Sequence, residues 1–192
     1  MNNCRVIGKS INRYNSIGKV TGSVKYTSDL FENCLFASVL RSQYHHAKIK
    51  HLDISEASTM PGVIKIITSK DIPGKKVFGR MIKDRPVLAS NVVRHVGEPI
   101  AIVVANKPYE ADNAISKIRI EFEILPYSLN VLDSLSEKFP KIHSNGNIAI
   151  ETKIENGDIE KGFSDSEIIV EATLKTPRIS PAYLETEAAV VE

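Results

Sequence analysis

The clearest hydrophobic pattern in the chain lies between residues 91 and 126. Residues 100–105 form a short apolar run that is rich in β-branched side chains and is preceded by Gly97 and Pro99. Such a run is typical of a strand covered on both faces, because neither face then needs polar residues for contact with solvent. We therefore expect this strand to be central in its sheet.

A helix and a second strand are predicted to follow directly. Pro108 suits the first position of a helix, where its missing N–H would have no partner within the helix, and Asn106 or Lys107 would cap it. Apolar residues recur at helical spacing after the proline: Ala111, Ala114, Ile115 and Ile118. From residue 118 the period changes to two, until Pro126 ends the alternation. The stretch therefore predicts the order strand, helix, strand.

Further strands and one short helix are predicted earlier in the chain. Residues with strand character lie at 23–26, 35–41, 47–54 and 63–68. Ser55 offers an N-cap for a short helix that the Pro61-Gly62 pair ends. Residues 1–22 predict an extended path punctuated by glycines, and residues 69–85 predict a long, basic surface loop. Strands interspersed with two helices indicate the α+β class rather than a doubly wound sheet.

The last third of the chain has weaker patterns. Residues 127–150 hold a small apolar cluster and the turn sequence HSNGN, and we expect a connector there. Residues 168–174 and 188–191 have the composition of strands. Since no polar tail follows the last of them, we expect the sequence to end inside a larger protein.

Composition excludes several classes of function. The 192 residues carry 25 basic and 23 acidic side chains, a net charge of +2 that disfavours a nucleic-acid or anionic-membrane partner. No apolar run approaches the roughly 18 residues needed to cross a bilayer, and the first residues lack the apolar region of a secretory signal. We therefore expect a cytoplasmic protein in which Cys4 and Cys34 are free thiols.

Two possible binding motifs fail on spacing. Residues 18–22, GKVTG, resemble a phosphate loop, but that loop needs four residues between its glycines and this chain has three. Histidines fall in or near the predicted sheet at His45, His46, His51 and His95. Adjacent histidines on extended backbone point in opposite directions, and no cysteine or carboxylate completes a zinc set. We expect residues 18–22 to form a plain turn and the histidines to bind no metal. His46 is expected to form a hydrogen bond and pack beside Arg41.

Two carboxylates and one basic segment remain as candidate functional groups. Glu98 and Glu185 could be catalytic, but each also suits pairing with an arginine or capping of backbone N–H groups, and we favour those roles. The basic segment 69–85 carries Lys75, Lys76, Arg80, Lys83 and Arg85. It has one aromatic residue, Phe78, and an internal acid, Asp84, so it predicts a solvated loop or partner surface rather than a nucleic-acid site.

Five segments, taken together, closely resemble the start of the molybdenum-binding large subunit of the xanthine dehydrogenase and aldehyde oxidase family. They are GKVTGSVKYTSDL (18–30), RSQYHHAKI (41–49), DISEASTMPGVIKIITSKDIP (53–73), PVLASNVVRHVGEPIAIVVA (86–105) and PAYLETEAAVVE (181–192). The family usually has Arg-Ser-Pro-His-Ala-His-Ala where residues 41–47 stand here, so Gln43 and Tyr44 are departures while His46 lines up. A common histidine of the family is Pro181 in this chain.

The resemblance implies a fold and a domain order. Residues 20–126 would form the family's α/β-hammerhead domain, a mixed sheet with two helices. An extended lead-in over 1–19 would precede it, and a connector over 127–150 would lead to the first strands of a truncated molybdopterin-binding domain over 151–192. The family's catalytic, cofactor and metal residues lie beyond Glu192, so none is assigned here. Matching residues with an expected structural role are Arg41, Ser42, His46, Gly62, Gly97, Glu98 and Glu185.

The resemblance also implies an activity for the whole protein. It would be a molybdenum-dependent hydroxylase, similar to xanthine dehydrogenase, that oxidises a purine, a related heterocycle or an aldehyde with water as oxygen source. Its molybdenum-pterin cofactor would work with iron–sulfur clusters and FAD in partner subunits or domains. The alternative is a free-standing, non-enzymatic hammerhead module that binds a protein partner. For the isolated chain we expect no activity, no molybdenum, and self-association through residues 165–192.

Overall fold

The computed structural model describes residues 6–31, 33–80 and 82–191. It divides into two compact units. One is formed by Leu35–Asp158, and the other by Met1–Cys34 together with Ile159–Glu192. Among the described residues, no helix is both long and apolar enough to cross a membrane.

The strands and helices are numbered in chain order. The strands are β1 (Phe36–Arg41), β2 (Ala47–Asp53), β3 (Val63–Thr68), β4 (Val77–Phe78), β5 (Arg85–Pro86), β6 (Val92–Val93), β7 (Pro99–Ala105) and β8 (Arg119–Ile124). The helices are α1 (Ser16–Thr21), α2 (Ser55–Ser58), α3 (Pro108–Ile115), α4 (Val131–Ser134) and α5 (Ile159–Ser164), and a 3₁₀ helix covers Thr27–Asp29.

Strand β7 is the middle strand of the first sheet, whose order is β1-β7-β3. Both neighbours run antiparallel to it, and Ile102 lies between Val39 on one side and Ile67 on the other. Val103 and Ile100 are fully buried and belong to two different apolar clusters. The expected central strand, covered on both faces, is therefore confirmed.

Helix α3 packs its small residues on this first sheet. Ala111 and Ala114 are fully buried in one cluster with Val103 of β7 and Ala57 of α2. Pro108 opens the helix as predicted, with Lys107 as the N-cap residue in an extended conformation. Because alanine side chains are short, the helix backbone can lie close to the strands, and this contact forms the larger core of the unit.

The second sheet has the order β6-β2-β8, and all of its pairings are also antiparallel. Its buried residues Ala47 and Val93 form a cluster with Ile100 of β7, against which Phe122 of β8 also packs. The hammerhead fold class is confirmed. The resemblance implied a mixed sheet, whereas the described strands form separate sheets in which every pairing is antiparallel. The alternation in β8 shows which face of that strand is buried, yet it cannot show which strands pair with it.

Several local expectations are wrong. The lead-in forms helix α1, ended by Gly22 with a φ of 74°, where residues 1–22 were expected to be extended; residues 1–5 lie outside the description. Residues 23–26 are not a strand. The long loop contains the short hairpin β4-β5. Residues 168–174 and 188–191 are exposed and irregular, because a strand needs a neighbour to satisfy its N–H and C=O groups.

The domain bounds drawn from the resemblance and the self-association through residues 165–192 stay predictions. Cys34 is a free thiol as expected, and Cys4 lies outside the described residues.

Candidate functional site

The end of β1 and the turn before β7 are joined by a compact set of hydrogen bonds. Ser42 N donates to the Glu98 carbonyl at 2.9 Å, and Gly97 N donates back to the Ser42 carbonyl at 2.7 Å. Arg41 Nη1 donates to the Gly97 carbonyl at 2.9 Å. Gly97 has a φ of 89°, a conformation that favours glycine. We call these four residues the strand-end junction.

Within the junction, Ser42 and Glu98 are the buried polar residues, with 3% and 2% exposure. The Ser42 hydroxyl donates to the Tyr44 carbonyl and accepts from Tyr44 N, both at 3.0 Å. The Glu98 carboxylate accepts from Arg94 N at 2.5 Å, and His95 Nδ1 lies 3.6 Å from it. A carboxylate held this way caps a turn, and it does not face an open cleft as a general base would.

His46 lies at the end of the segment that links β1 to β2, residues 42–46, and is 8% exposed. Its Nδ1 lies 2.7 Å from the Pro126 carbonyl, and since a carbonyl only accepts, Nδ1 carries the proton. Leu125 N donates to the His46 carbonyl at 3.0 Å. The hydrogen-bond partner is therefore Pro126, whereas the sequence placed His46 beside Arg41. These two bonds fasten the start of β2 to the end of β8.

Gly62 follows helix α2 and lies directly under the side chain of Glu110 in α3. Its φ is 81°, and a Cβ at this position would lie 2.1 Å from Glu110 Oε2. That oxygen is buried and has no hydrogen-bond partner among the described residues. The Gly62 carbonyl accepts from Asn106 N at 3.0 Å. The glycine thus lets the two helices and the end of β7 meet closely.

Glu185 belongs to the other compact unit and is exposed. One oxygen of its carboxylate accepts from Thr27 N and from Thr27 Oγ1, both at 3.3 Å. Thr27 opens the 3₁₀ helix, so the carboxylate satisfies an N–H that lacks a partner within that helix. No second titratable side chain shares this contact among the described residues, and the geometry is that of a cap.

The four candidate histidines have separate environments. His45 stacks on Tyr127 with ring centroids 4.8 Å apart, His46 bonds to Pro126, His51 lies in β2 opposite Glu121 of β8, and His95 lies near Glu98. Over the described ranges, no group of three or more His, Cys, Asp and Glu side chains is placed to hold a metal. The GKVTG segment forms the end of α1, where the helix presents carbonyls rather than the N–H groups that bind phosphate.

The loop after β3 is anchored at both ends by aspartates. Asp71 accepts from Thr68 N at 2.8 Å and from Thr68 Oγ1 at 2.9 Å. The Thr68 N–H, followed by the hydroxyl, lowers the pKa of the Asp71 carboxyl below its ordinary value. Asp84, near the other end, forms an ion pair with His143 of the connector. This pairing could not be predicted from local patterns, because His143 is distant from Asp84 along the chain.

A cavity of about 350 Å³ lies beside this ion pair. Ile82 and Asp84 line one side, and residues 143–150 line the other. Asn147 shapes the second wall, since its Oδ1 accepts from Ile142 N at 2.8 Å and its Nδ2 donates to the Ser134 carbonyl at 3.0 Å. Arg94 Nε donates to the Ile142 carbonyl at 3.2 Å, which connects this wall to the turn that holds Glu98. The HSNGN turn was the one sequence signal for this wall.

Comparison with known proteins places this geometry in a family. The model of the aldehyde oxidase and xanthine dehydrogenase a/b hammerhead domain matches residues 21–126, and that of the molybdopterin cofactor-binding domain matches residues 142–192. The chain is 40% identical over 178 residues to a probable xanthine dehydrogenase subunit of Bacillus subtilis, covering 90% of this chain and 23% of that protein. It is 37% identical over 187 residues to the nicotinate dehydrogenase large molybdopterin subunit of Eubacterium barkeri, covering 97% of this chain and 44% of that protein.

Solved structures agree with these matches. The aldehyde oxidoreductase from Desulfovibrio gigas aligns with a TM-score of 0.72 and 30% identity, over 81% of this chain and 19% of that one. Quinoline 2-oxidoreductase from Pseudomonas putida 86 aligns with a TM-score of 0.70 and 29% identity, over 83% of this chain and 22% of that one. The chain thus spans less than half the length of these relatives, and it belongs to the aldehyde oxidase and xanthine dehydrogenase family.

Proposed function

We propose that the protein containing this chain is a molybdenum-dependent hydroxylase, with these residues as its N-terminal scaffold. The observation that carries the proposal is the order of two family matches in one chain, a hammerhead domain at 21–126 followed by a molybdopterin cofactor-binding domain from residue 142. Either match alone would suit a detached module. Together they suit a polypeptide that encloses the cofactor further along.

The substrate we propose is a purine or a related nitrogen heterocycle. The relatives at 40% and 37% identity carry the names of xanthine and nicotinate dehydrogenases, and a relative at 32% identity is named nicotine 6-hydroxylase. The structural neighbours include a quinoline oxidoreductase, but also aldehyde oxidoreductases. An aldehyde therefore stays the second substrate class to test.

The cofactor we propose for the whole protein is a molybdenum-pterin. When bound, it would supply oxygen derived from water and take up electrons from the substrate. Residues 142–192 match the molybdopterin cofactor-binding domain, but residues 148–191 are all exposed and no group of His, Cys, Asp and Glu among the described residues is placed to hold a metal, so we propose that the groups enclosing the cofactor lie in other parts of the protein. We therefore assign no catalytic step to any residue of the chain.

The role we propose for the chain itself is structural. The strand-end junction and the His46–Pro126 bond fix how the two sheets meet, because both ends of the link between β1 and β2 are fastened by buried hydrogen bonds. A domain of this kind can hold the entrance or the outer wall of a site formed by other parts of the protein. This supports a structural role for Arg41, Ser42, His46, Gly97 and Glu98.

The partners we propose are other subunits, which would carry iron–sulfur clusters and FAD and pass electrons away from the substrate. Several relatives are named as subunits of larger complexes, including the gamma subunit of a dehydrogenase complex. We propose a cytoplasmic location for the assembly.

A substrate screen with isotopic water tests the proposed reaction. The whole protein, purified with its partners, is incubated with xanthine, hypoxanthine, nicotinate or an aromatic aldehyde and an artificial electron acceptor in ¹⁸O-labelled water. We expect a hydroxylated heterocycle that carries the label. Label-free product would contradict the use of water, and a protein that turns over none of these compounds would favour the non-enzymatic partner-binding module.

A further inference from the structure

The segment from Ser69 to Pro86 carries a strong local charge. It has six basic residues against two acidic ones, a net charge of +4, whereas the whole chain has +2. The rest of the chain is therefore net negative. We call residues 75–80 and 82–86 the basic hairpin, since strands β4 and β5 pair there. Its lysine and arginine side chains are exposed.

Neither acid of the segment forms an ion pair with the lysines and arginines of the basic hairpin in the part of the chain that the structure describes. Asp71 accepts hydrogen bonds from Thr68, and Asp84 pairs with His143. Among the described residues, none of the ion pairs involves a lysine or arginine of the basic hairpin. The positive charges therefore face solvent, where the potential they create is available to an acidic partner.

Strand pairing and a backbone hydrogen bond hold the two strands of the basic hairpin together. Val77 pairs with Pro86 and Phe78 with Arg85, and Val87 N donates to the Lys76 carbonyl at 2.9 Å. A Cβ at Gly79 would overlap the Ile82 carbonyl oxygen, so this position needs glycine. A hairpin fixed in this way loses less conformational entropy on binding than a free loop.

Its exposed centre is apolar and aromatic. Val77 and Phe78 are 45% and 47% exposed, and the Arg85 guanidinium carbon lies 5.3 Å from the centre of the Phe78 ring. Lys75, Lys76 and Lys83 surround them in the sequence. An aromatic and arginine centre with a charged rim is the anatomy of a protein–protein interface. A nucleic-acid surface would need more aromatic residues and a more basic chain.

We propose that the basic hairpin is a docking site for an acidic surface patch on a partner subunit. Lysines of the rim would pair with Asp and Glu side chains, and Phe78 with Arg85 would fill the centre of the contact. The identity of the partner as a subunit of the same enzyme rests on the proposed function. The docking surface itself rests on the charge, exposure and geometry of the hairpin.

Carbodiimide cross-linking of the native complex tests the contact directly. The reagent joins a lysine amine to a carboxylate only when the two are in salt-bridge contact. We expect Lys75, Lys76 or Lys83 to be coupled to Asp or Glu residues of a second polypeptide, and Lys65 and Lys107, which are also exposed, to stay uncoupled. Hairpin lysines that are freely acetylated in the complex, or coupled only to later residues of their own chain, would overturn the proposal.

Charge reversal supplies the matched measurement. Lys75→Glu with Lys76→Glu should weaken partner binding roughly 10-fold or more, because two attractive contacts become repulsive. Lys65→Glu with Lys107→Glu reverses the same number of exposed charges on the same unit and should leave binding within about 2-fold. Circular dichroism checks that both variants fold. Equal loss in both pairs, or co-purification with nucleic acid in place of a protein, would refute the docking site.

The two proposals can fail separately. A complex that contains molybdenum but leaves the hairpin free refutes the docking site alone. A complex held through the hairpin that contains no molybdenum refutes the proposed enzyme alone and leaves the interface standing.

Discussion

Replacing Gly62 with alanine is the sharpest single perturbation of the hammerhead unit. Gly62 has a φ of 81°, and an added Cβ would lie 2.1 Å from Glu110 Oε2. Gly74 provides a matched control, since its φ is 69° but a Cβ there would meet nothing within 4 Å. The two substitutions therefore share the backbone strain and differ in the steric clash.

The expected costs follow from these geometries. A left-handed conformation costs an alanine about 1–2 kcal/mol relative to glycine, so Gly74→Ala should lower the free energy of unfolding by about that much. At Gly62 the carboxylate must also move away, and overpacking of this kind adds about 1–3 kcal/mol. Since the carboxylate ends a flexible side chain, we expect the low end of that addition and a total of about 2–4 kcal/mol.

Urea unfolding followed by circular dichroism gives the two costs, and Glu110→Ala completes a double-mutant cycle. With Glu110 truncated, the space over Gly62 is open, so the cost of Gly62→Ala should fall to that of Gly74→Ala. Equal costs for Gly62→Ala and Gly74→Ala in the original background, within about 0.5 kcal/mol, would refute the close approach of α3 to Gly62.

Three further predictions concern the core, the acid response and the last residues. Val103→Ala in β7 should cost about 2 kcal/mol because Val103 is fully buried, whereas the half-exposed Val96→Ala should cost under about 0.5 kcal/mol, and similar costs for both would contradict the described core. The Thr68 N–H and hydroxyl lower the pKa of the Asp71 carboxyl, so its stabilising contribution is present above about pH 4 and is lost as the pH falls through the lower, folded-state pKa. Asp71→Asn should therefore flatten the acid side of the plot of unfolding free energy against pH, and an unchanged plot would refute this. Removing residues 150–192 should leave a folded monomer by light scattering, while the 192-residue chain self-associates through residues 165–192; a monomeric chain whose last residues resist hydrogen exchange would show that they are covered internally.

Local signals made the first sheet predictable. The apolar run of β7, the proline that opens α3 and the Pro61-Gly62 stop all act within a few residues, and each lies where it was expected. The pairing of strands depends on contacts between distant residues, and periodicity does not contain it. The order strand, helix, strand was therefore predictable, whereas the pairing of β8 with β2 was not.

In the candidate site, too, single residues could be predicted from the sequence but their contacts could not. Family resemblance drew attention to Arg41, Gly97 and Glu98, yet only the structure shows that Arg41 donates to the Gly97 carbonyl. The ion pair of Asp84 with His143 could not be predicted, since the two residues are far apart along the chain and no local pattern links them. The strand predicted at residues 168–174 was wrong for a different reason: their composition favours a strand, but no described residue pairs with them.

Molybdenum analysis of the whole protein tests the central claim most directly. Elemental analysis by mass spectrometry compares the whole protein, purified with its partners, with the isolated 192-residue chain. We predict stoichiometric molybdenum in the whole protein and none in the isolated chain, whose residues from 148 to 191 are all exposed. A whole protein that binds no molybdenum when the metal is supplied would contradict the account, as would stoichiometric molybdenum retained by the isolated chain.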